Sequence, residues 1–228
     1  MSGFEAAMTA WLGVLSAHGC EISHFMNLGA SETKISEIEQ SIGFSFTEDL
    51  KELYLWADGQ KDYIGSSAKK IVHYADGGAD VVYDIDPSPG KYFCPLFGHY
   101  SFDSLDVSLR SYLQWVDIVS TSSHDELIDN ITIRSNHAVD KIYFKKGWFP
   151  ISNNSAGDSF AVDFAPPEGG TYGQIIVVGP NEDERRVVAR SITELLELAS
   201  TCNLLKTEFM KNGRHSAPMF MDYDMECW

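Results

Sequence analysis

The sequence has 228 residues, of which 44% are hydrophobic and 12% are aromatic. This composition can bury enough apolar surface to offset the entropy of ordering the chain, which excludes general disorder. The 33 acidic residues outnumber the 17 basic ones and give a formal net charge of -16. The negative electrostatic field of such a chain repels phosphate backbones, so we expect no direct binding of nucleic acid. Either solubility or a basic partner protein explains the charge.

The first part of the chain predicts three amphipathic helices. Apolar residues recur at spacings of three and four over residues 4–15 and predict the first. The second begins near Ser31 and ends at Gly43, and the third is capped by Thr47 and ends at Gly59. A tight corner over residues 43–46 therefore joins the second helix to the third.

The middle of the chain predicts short strands and then helices. Clusters of Gly, Asp and Pro separate three strand candidates, at residues 71–74, 81–85 and 92–97. Helical spacing returns over residues 105–116, and a short acidic helix is expected near residues 124–131. We expect these helices to cover one face of a sheet.

Most of the predicted sheet comes late in the chain. The five strand candidates there are residues 141–144, 148–152, 159–164, 174–178 and 185–188. Ser191 and Glu194 form a capping box for a last helix that reaches Cys202. Residues 211–228 show no periodic pattern and predict a docked or mobile tail after a single domain at residues 1–210.

No pattern in the sequence predicts a catalytic, metal or cofactor site. The seven histidines do not form a His-Glu-x-x-His helix pattern, and none pairs with a cysteine at ligand spacing. A Gly-x-Ser-x-Gly turn and a phosphate-binding glycine loop are also missing. We therefore expect no enzymatic activity, no metal and no cofactor.

The N-terminus and the cysteines favour a cytoplasmic protein. Residues 1–15 lack the positive start and continuous apolar core of a secretion signal. No stretch approaches the roughly 18 apolar residues that a membrane-spanning helix needs. The four cysteines are scattered, as is usual for reduced thiols. We expect no association with membranes.

Aromatic and acidic residues of the variable middle are the predicted partner-binding residues. Buried aromatic anchors carry most of the energy of an interface, whereas charges at its rim mainly set the association rate. An acidic loop of this kind is more typical of solvated surface than of a calcium site, because prolines interrupt it. The candidates are Tyr63, Tyr74, Asp76, Asp80, Tyr83, Asp84 and Asp86.

Two segments together resemble the SUKH superfamily. Residues 31–59 are similar to its opening helix pair and include Ile35, Glu39, Ile42, Gly43, Phe46, Leu50, Tyr54, Asp58 and Gly59. Residues 148–198 are similar to its later blocks and include Trp148, Pro150, Ile151, Gly157, Asp158, Asp163, Pro166, Gly170, Gly173 and Gln174. Phe46-Thr47 departs from the Leu-Pro of the family, and the resemblance covers roughly residues 31–204.

The resemblance implies an α+β fold with a central mixed, largely antiparallel sheet, helices packed around it and no catalytic residues. It also implies a protein-binding function, foremost that of an immunity protein that binds a cognate bacterial toxin with a basic surface and occludes its active site. Such a toxin is often a nuclease or a deaminase. The alternative is a regulatory interaction module like that of the fungal cell-wall-synthesis regulators, and an uncharacterised enzyme is the third class. Ten matched residues are expected to be structural: Glu39, Gly43, Gly59, Trp148, Pro150, Gly157, Asp158, Asp163, Gly173 and Gln174.

Overall fold

The computed structural model describes residues 2–17, 22–61, 69–73, 79–83, 95–98, 100–122, 130–154 and 156–201. Five α-helices lie in this part of the chain: α1 (Gly3–Ala17), α2 (Glu32–Ile42), α3 (Glu48–Trp56), α4 (Leu105–Thr121) and α5 (Ile192–Thr201). Each was predicted from apolar spacing, and a 3-10 helix at Ile22–Phe25 follows α1. No helix among these residues is long and apolar enough to cross a membrane.

The central sheet has five strands: β4 (Thr132–Ile133), β5 (Trp148–Pro150), β7 (Ser159–Asp163), β8 (Gln174–Val178) and β9 (Glu184–Ala189). Their order across the sheet is β4-β9-β8-β7-β5. Only β4 and β9 pair in parallel, and the other neighbours are antiparallel. Because this sheet is mixed and largely antiparallel and is combined with helices, the predicted α+β class is confirmed.

Four more strands form two separate pairs. The strands β1 (Lys69–His73) and β2 (Ala79–Tyr83) make an antiparallel pair, as do β3 (Ser101–Phe102) and β6 (Ser152–Asn153). The predicted strand at residues 148–152 is thus divided into β5 and β6. Ile151 lies between them, donating its N–H to Phe160 and accepting one from Asp103.

Helices cover the sheet around one hydrophobic core. α5 contacts β8 and β9 and packs along α1, while α4 contacts β5. Both β7 and β8 are buried along their whole length, which explains their nearly continuous apolar sequences. The core cluster runs from Phe4 in α1 to Ala199 in α5 and so unites the two ends of the described chain.

One predicted strand is wrong. Residues 141–143 form bends and residue 144 is irregular, because the carbonyl groups of Ile142 and Tyr143 bind a buried cation and not a neighbouring strand. The Arg185 guanidinium donates to the carbonyls of Ile142 and Tyr143, each at 3.3 Å. Arg185 is 1% exposed, and a cation buried to this extent needs several oxygen partners.

Two predicted helix caps differ in detail. Thr47 occupies the N-cap position of α3, but its side chain makes no cap hydrogen bond and donates to the Asp49 carboxylate instead. The Glu194 N–H donates to Ser191 as in a capping box, yet the Glu194 carboxylate accepts the N–H of Arg190. A full capping box, which was not predicted, joins Ser2 and Glu5 at the start of α1.

Most of two other predicted elements and the tail lie outside the described residues. Of the strand expected at 92–97, residues 95–97 form a turn and a single bridge between Phe97 and Tyr100. Of the helix expected at 124–131, only residues 130–131 are described, and they are not helical. The tail at residues 211–228 lies entirely outside.

Candidate functional site

Three of the matched residues stand side by side across the sheet. Trp148 on β5 pairs with Asp163 on β7, and Asp163 pairs with Gln174 on β8. All three are almost fully buried. The Gln174 amide donates to the Asp163 carboxylate at 3.3 Å and to the Ala138 carbonyl at 2.7 Å. We call Trp148, Asp163 and Gln174 the polar rung.

Lys145 supplies the positive charge at the polar rung. Its ammonium group lies 3.5 Å from Asp163 and 5.4 Å from the centre of the Trp148 ring. It also binds the Asp140 carboxylate and donates to the Ala165 carbonyl. The buried carboxylate of Asp163 is thus matched by a cation that is itself paired, an arrangement that a buried charge requires.

Burial raises the pKa of Asp163, because water no longer solvates the ionised carboxylate. The N–H of Ala165, which donates at 3.0 Å, and the Lys145 ammonium oppose that rise. Asp163 therefore links β7 to β8 and to the loop after β7.

A groove opens beside the polar rung, between β9, the loop before β5 and the start of α5. Its volume is ≈ 330 Å³. We call it the β9 groove. The residues that line it are Asn136, His137, Ala138, Gly169, Thr171, Gln174, Val187, Val188, Ala189, Arg190, Glu194 and Leu198.

The ionisable side chains of the β9 groove are bonded within the chain. His137 accepts the backbone N–H of Val187 through Nδ1 at 2.9 Å, so the ring is neutral and carries its proton on Nε2. Burial, together with the nearby Arg134, lowers the pKa of His137. The Glu194 carboxylate lies 2.6 Å from Arg190, which lowers the pKa of Glu194 and raises that of Arg190. Such groups can recognise a polar ligand by hydrogen bonding and charge.

Glu39 and Gly43 both stabilise the corner between α2 and α3. Gly43 has φ of 78° and donates its N–H to the Glu39 carbonyl, which ends α2 in the left-handed conformation that favours glycine. The Glu39 carboxylate accepts the N–H of Phe46 at 2.6 Å and lies 3.6 Å from Lys51. The corner therefore has a fixed shape.

The β7–β8 hairpin rests on this corner. Gly173 has φ of 86°, and a Cβ there would come within 2.4 Å of the Thr47 side chain. The Tyr172 hydroxyl donates to the Ser45 carbonyl at 2.7 Å. The Phe46 ring contacts the rings of Phe149 and Phe164 from the sheet. The two segments that carry the resemblance are therefore packed on each other.

Asp58 and Gly59 connect three parts of the molecule. The Asp58 carboxylate accepts the first N–H of α4, from Leu105, at 2.8 Å and binds Lys34 of α2 at 2.8 Å. Lys34 also binds Asp106 at 2.7 Å. Burial opposes the charge of Lys34, but its hydrogen bonds to the two carboxylates hold its pKa above the usual value. Gly59 lies so close to Ser104 that a Cβ would be 2.2 Å from the Ser104 nitrogen.

Asp158 organises the turn before β7. Its carboxylate accepts the N–H of Asn181 at 2.8 Å and the Asn154 amide at 3.0 Å, which ties the β6–β7 turn to the β8–β9 turn. Gly157 precedes it with φ of 91°. Pro150 lies in the edge strand β5, where a missing N–H is tolerated. Each of the ten matched residues thus has a defined structural setting.

The predicted partner-binding residues cannot be placed on this surface. Asp80 and Tyr83 belong to β2, where the structure describes the strand but not the side chains. The others lie outside the described residues: Tyr63, Tyr74, Asp76, Asp84 and Asp86. Their assignment to a partner remains a prediction.

Sequence reasoning missed most of the β9 groove. His137, Arg190 and Glu194 come from the loop before β5 and from the junction of β9 with α5, so no local motif joins them. Of these three, only Glu194 carries a sequence signal, as a member of the predicted capping box, whereas Gln174 is the groove residue that the resemblance indicates. Within the described ranges, no group of three or more His, Cys, Asp or Glu side chains could hold a metal ion.

A model of the SMI1 / KNR4 family (SUKH-1) matches residues 29–198, which is most of the chain. This range contains the helix corner, the central sheet and the start of α5. The match confirms the resemblance that residues 31–59 and 148–198 had indicated.

Curated relatives of the chain are fungal proteins named as regulators or as their homologues. The "Cell wall assembly regulator SMI1" of Saccharomyces cerevisiae is 22% identical over 85% of this chain and 40% of its own length. The "Cell wall biosynthesis/cell cycle regulator smi1" of Schizosaccharomyces pombe is 36% identical over 28% of this chain and 12% of its own length. A "KNR4/SMI1 homolog" of Yarrowia lipolytica is 40% identical over 28% of this chain and 9% of its own length. The chain therefore spans less than half of each of these relatives.

Proposed function

Because this chain belongs to the SMI1 / KNR4 family (SUKH-1), we propose that it acts as a regulatory protein-interaction module of the type found in fungal cell-wall regulators. The observation that carries this proposal is the match over residues 29–198, together with relatives that are named as regulators. The protein would then work by binding a partner and not by transforming a substrate.

The hydrogen bonds of the polar rung and of the β9 groove are compatible with a binding role. Asp163 and Gln174 are used to hold strands and loops, and His137 is committed to the Val187 N–H. Arg190 and Glu194 pair with each other. Each of these groups thus has a structural role in the fold, which is compatible with a binding module.

The comparisons favour this regulatory role over toxin neutralisation, which the sequence analysis placed first. The relatives named above are fungal regulators, and none carries the name of an immunity protein. The net charge of -16 suits a basic partner under either function, since opposite charge speeds association. Toxin neutralisation would instead appear as rescue of growth from the toxic product of an adjacent gene.

A chimera tests the proposal. In yeast cells that lack the Saccharomyces regulator, this chain would replace the segment of that regulator that it matches, within the full-length protein. We expect the chimera to restore growth on a dye that binds cell-wall polysaccharides, because the flanking regions of the relative supply what the chain does not span.

The control chimera carries Leu53→Asp, which puts a charge at a position with 0% exposure in the core. It should restore no growth, because an unpaired charge in the core unfolds the domain. A wild-type chimera that is present at normal levels and melts cooperatively, yet restores no growth, would overturn the proposed function.

A further inference from the structure

The most exposed large apolar side chain in the described part of the molecule is Leu28, at 92%. It lies in the loop between the 3-10 helix and α2. Leu55, near the end of α3, is 43% exposed. The loop places Leu28 beside the end of α3, because Gly29, the next residue, lies against the Leu55 carbonyl, and a Cβ on Gly29 would be 1.8 Å from that oxygen. We call these two residues the Leu28–Leu55 patch.

The loop that carries Leu28 is held by hydrogen bonds on both sides. Asn27 donates its N–H to Gly59 at 3.0 Å and its side-chain amide to Asp58 at 3.0 Å. The Leu28 carbonyl accepts the N–H of Asp58 at 3.1 Å, and Ala30 donates to Tyr54 at 2.8 Å. A leucine on such a loop is presented in a fixed position. Binding through it therefore costs little ordering of the loop.

Acidic side chains lie on both helices that flank the patch, and Lys34, the one lysine of α2, is already paired with Asp58 and Asp106. Glu48, Glu52 and Leu55 follow one another at spacings of four and three on α3 and share one side of that helix. Glu32 is in the first turn of α2, four residues after Leu28, and is exposed. The last turn of α3 contains no basic residue, so the negative end of its dipole is not compensated there by its own side chains.

We propose that the Leu28–Leu55 patch docks a basic segment of a partner protein, in which an apolar side chain is flanked by Lys or Arg. The apolar side chain would cover the two leucines, and the basic ones would face Glu52, Glu32 and the end of α3. A second copy of this chain fits less well, because each copy carries a net charge of -16. This inference rests on the proposed function and names the surface and the partner chemistry.

Binding of defined peptides to the full-length chain tests the patch. The probes are short fluorescent peptides with a central Leu or Phe flanked by Lys and Arg. One control set replaces the basic residues by Glu, and another replaces the central residue by Ser. Fluorescence anisotropy should show saturable binding of the first set alone, which weakens with salt because exposed charges are screened.

The variant Leu28→Ala removes the apolar contact without removing any packing of the folded chain. We expect the dissociation constant of the basic apolar peptides to rise about tenfold or more, as the loss of one buried leucine side chain implies. The matched control is Leu113→Ala on α4, since Leu113 is 54% exposed but lies on a different helix. It should leave the dissociation constant unchanged.

Three results would overturn the patch as the docking surface: no saturable binding by the first peptide set, equal binding by the Glu set, or an equal loss with Leu113→Ala. Sedimentation provides a further check. If the wild-type chain sediments as a dimer and the Leu28→Ala variant as a monomer, the patch binds a second copy of the chain and not a basic partner. Because growth of the chimera tests the proposed function and peptide binding tests the patch, failure of one is distinguished from failure of the other.

Discussion

Two glycines with the same backbone conformation stand in different surroundings. Gly43 has φ of 78° and Gly59 has φ of 79°, so both adopt the left-handed conformation that other residues avoid. A Cβ on Gly43 would meet no atom within 4 Å, whereas one on Gly59 would come within 2.2 Å of the Ser104 backbone. The first glycine is needed for conformation alone, and the second is needed for conformation and space.

The pair Gly43→Ala and Gly59→Ala separates these two requirements. We expect Gly43→Ala to lower the free energy of unfolding by about 1–2 kcal/mol, the cost of the left-handed conformation. Gly59→Ala should lower it by about 1–3 kcal/mol more, since the start of α4 must move. Urea denaturation of both variants provides the measurement. Equal losses would show that the Ser104 backbone yields freely.

At the scale of elements, the amount that the sequence could predict depends on the length of each element. The helices and the strands β7, β8 and β9 are long enough to show a period or a full apolar run, and they were predicted. The strands β3 and β4 have two residues each and carry no such pattern. The strand prediction at residues 141–144 was wrong because the structure there depends on a residue distant in sequence: Arg185 binds the carbonyl groups of Ile142 and Tyr143.

Some residues of the candidate site could be predicted from the sequence, and others could not. Trp148, Asp163 and Gln174 belong to blocks that the resemblance could identify, and sheet register brings them together. His137 and Arg190 could not be predicted, because their place in the β9 groove depends on how a loop packs on β9. The exposure of Leu28 likewise follows from the pairing of its loop with residues 58–61.

The junction of β4 with β9 should depend on pH through His137. Burial lowers the pKa of this ring below its ordinary value of about 6.5. The neutral ring therefore stabilises the fold above that ordinary value, and the contribution is lost as the pH falls from there through the folded pKa. Protonation also ends the acceptance of the Val187 N–H by Nδ1.

The variant His137→Asn keeps an acceptor near the position of Nδ1 but cannot titrate. Between about pH 7.5 and pH 5, the range in which histidines titrate, we expect the wild-type chain to lose more free energy of unfolding than this variant. Urea denaturation at each pH measures the difference, and the NMR signal of the imidazole gives the pKa. Parallel pH profiles for the two proteins would contradict this role of His137.

On the scale of the whole molecule, the fold extends beyond the range that the family model matches. The match begins at residue 29, but α1 precedes it and packs along α5. Trp11 and Leu15 of α1 are 1% and 0% exposed, and the Trp11 indole donates to the Leu96 carbonyl at 2.9 Å. α1 therefore belongs to the same hydrophobic core as the sheet.

We expect the hydrophobic core to lose stability when α1 is altered or removed. Trp11→Ala should lower the free energy of unfolding by about 3–5 kcal/mol, as is typical of a buried aromatic residue. Leu113→Ala, at an exposed position, should change it by less than about 0.5 kcal/mol.

A chain that begins at residue 22 should show no cooperative thermal transition, because α5 would expose the face that α1 covers. If that shorter chain instead melts cooperatively at the temperature of the full chain, then α1 is an appendage, and residues 29–198 suffice for the fold.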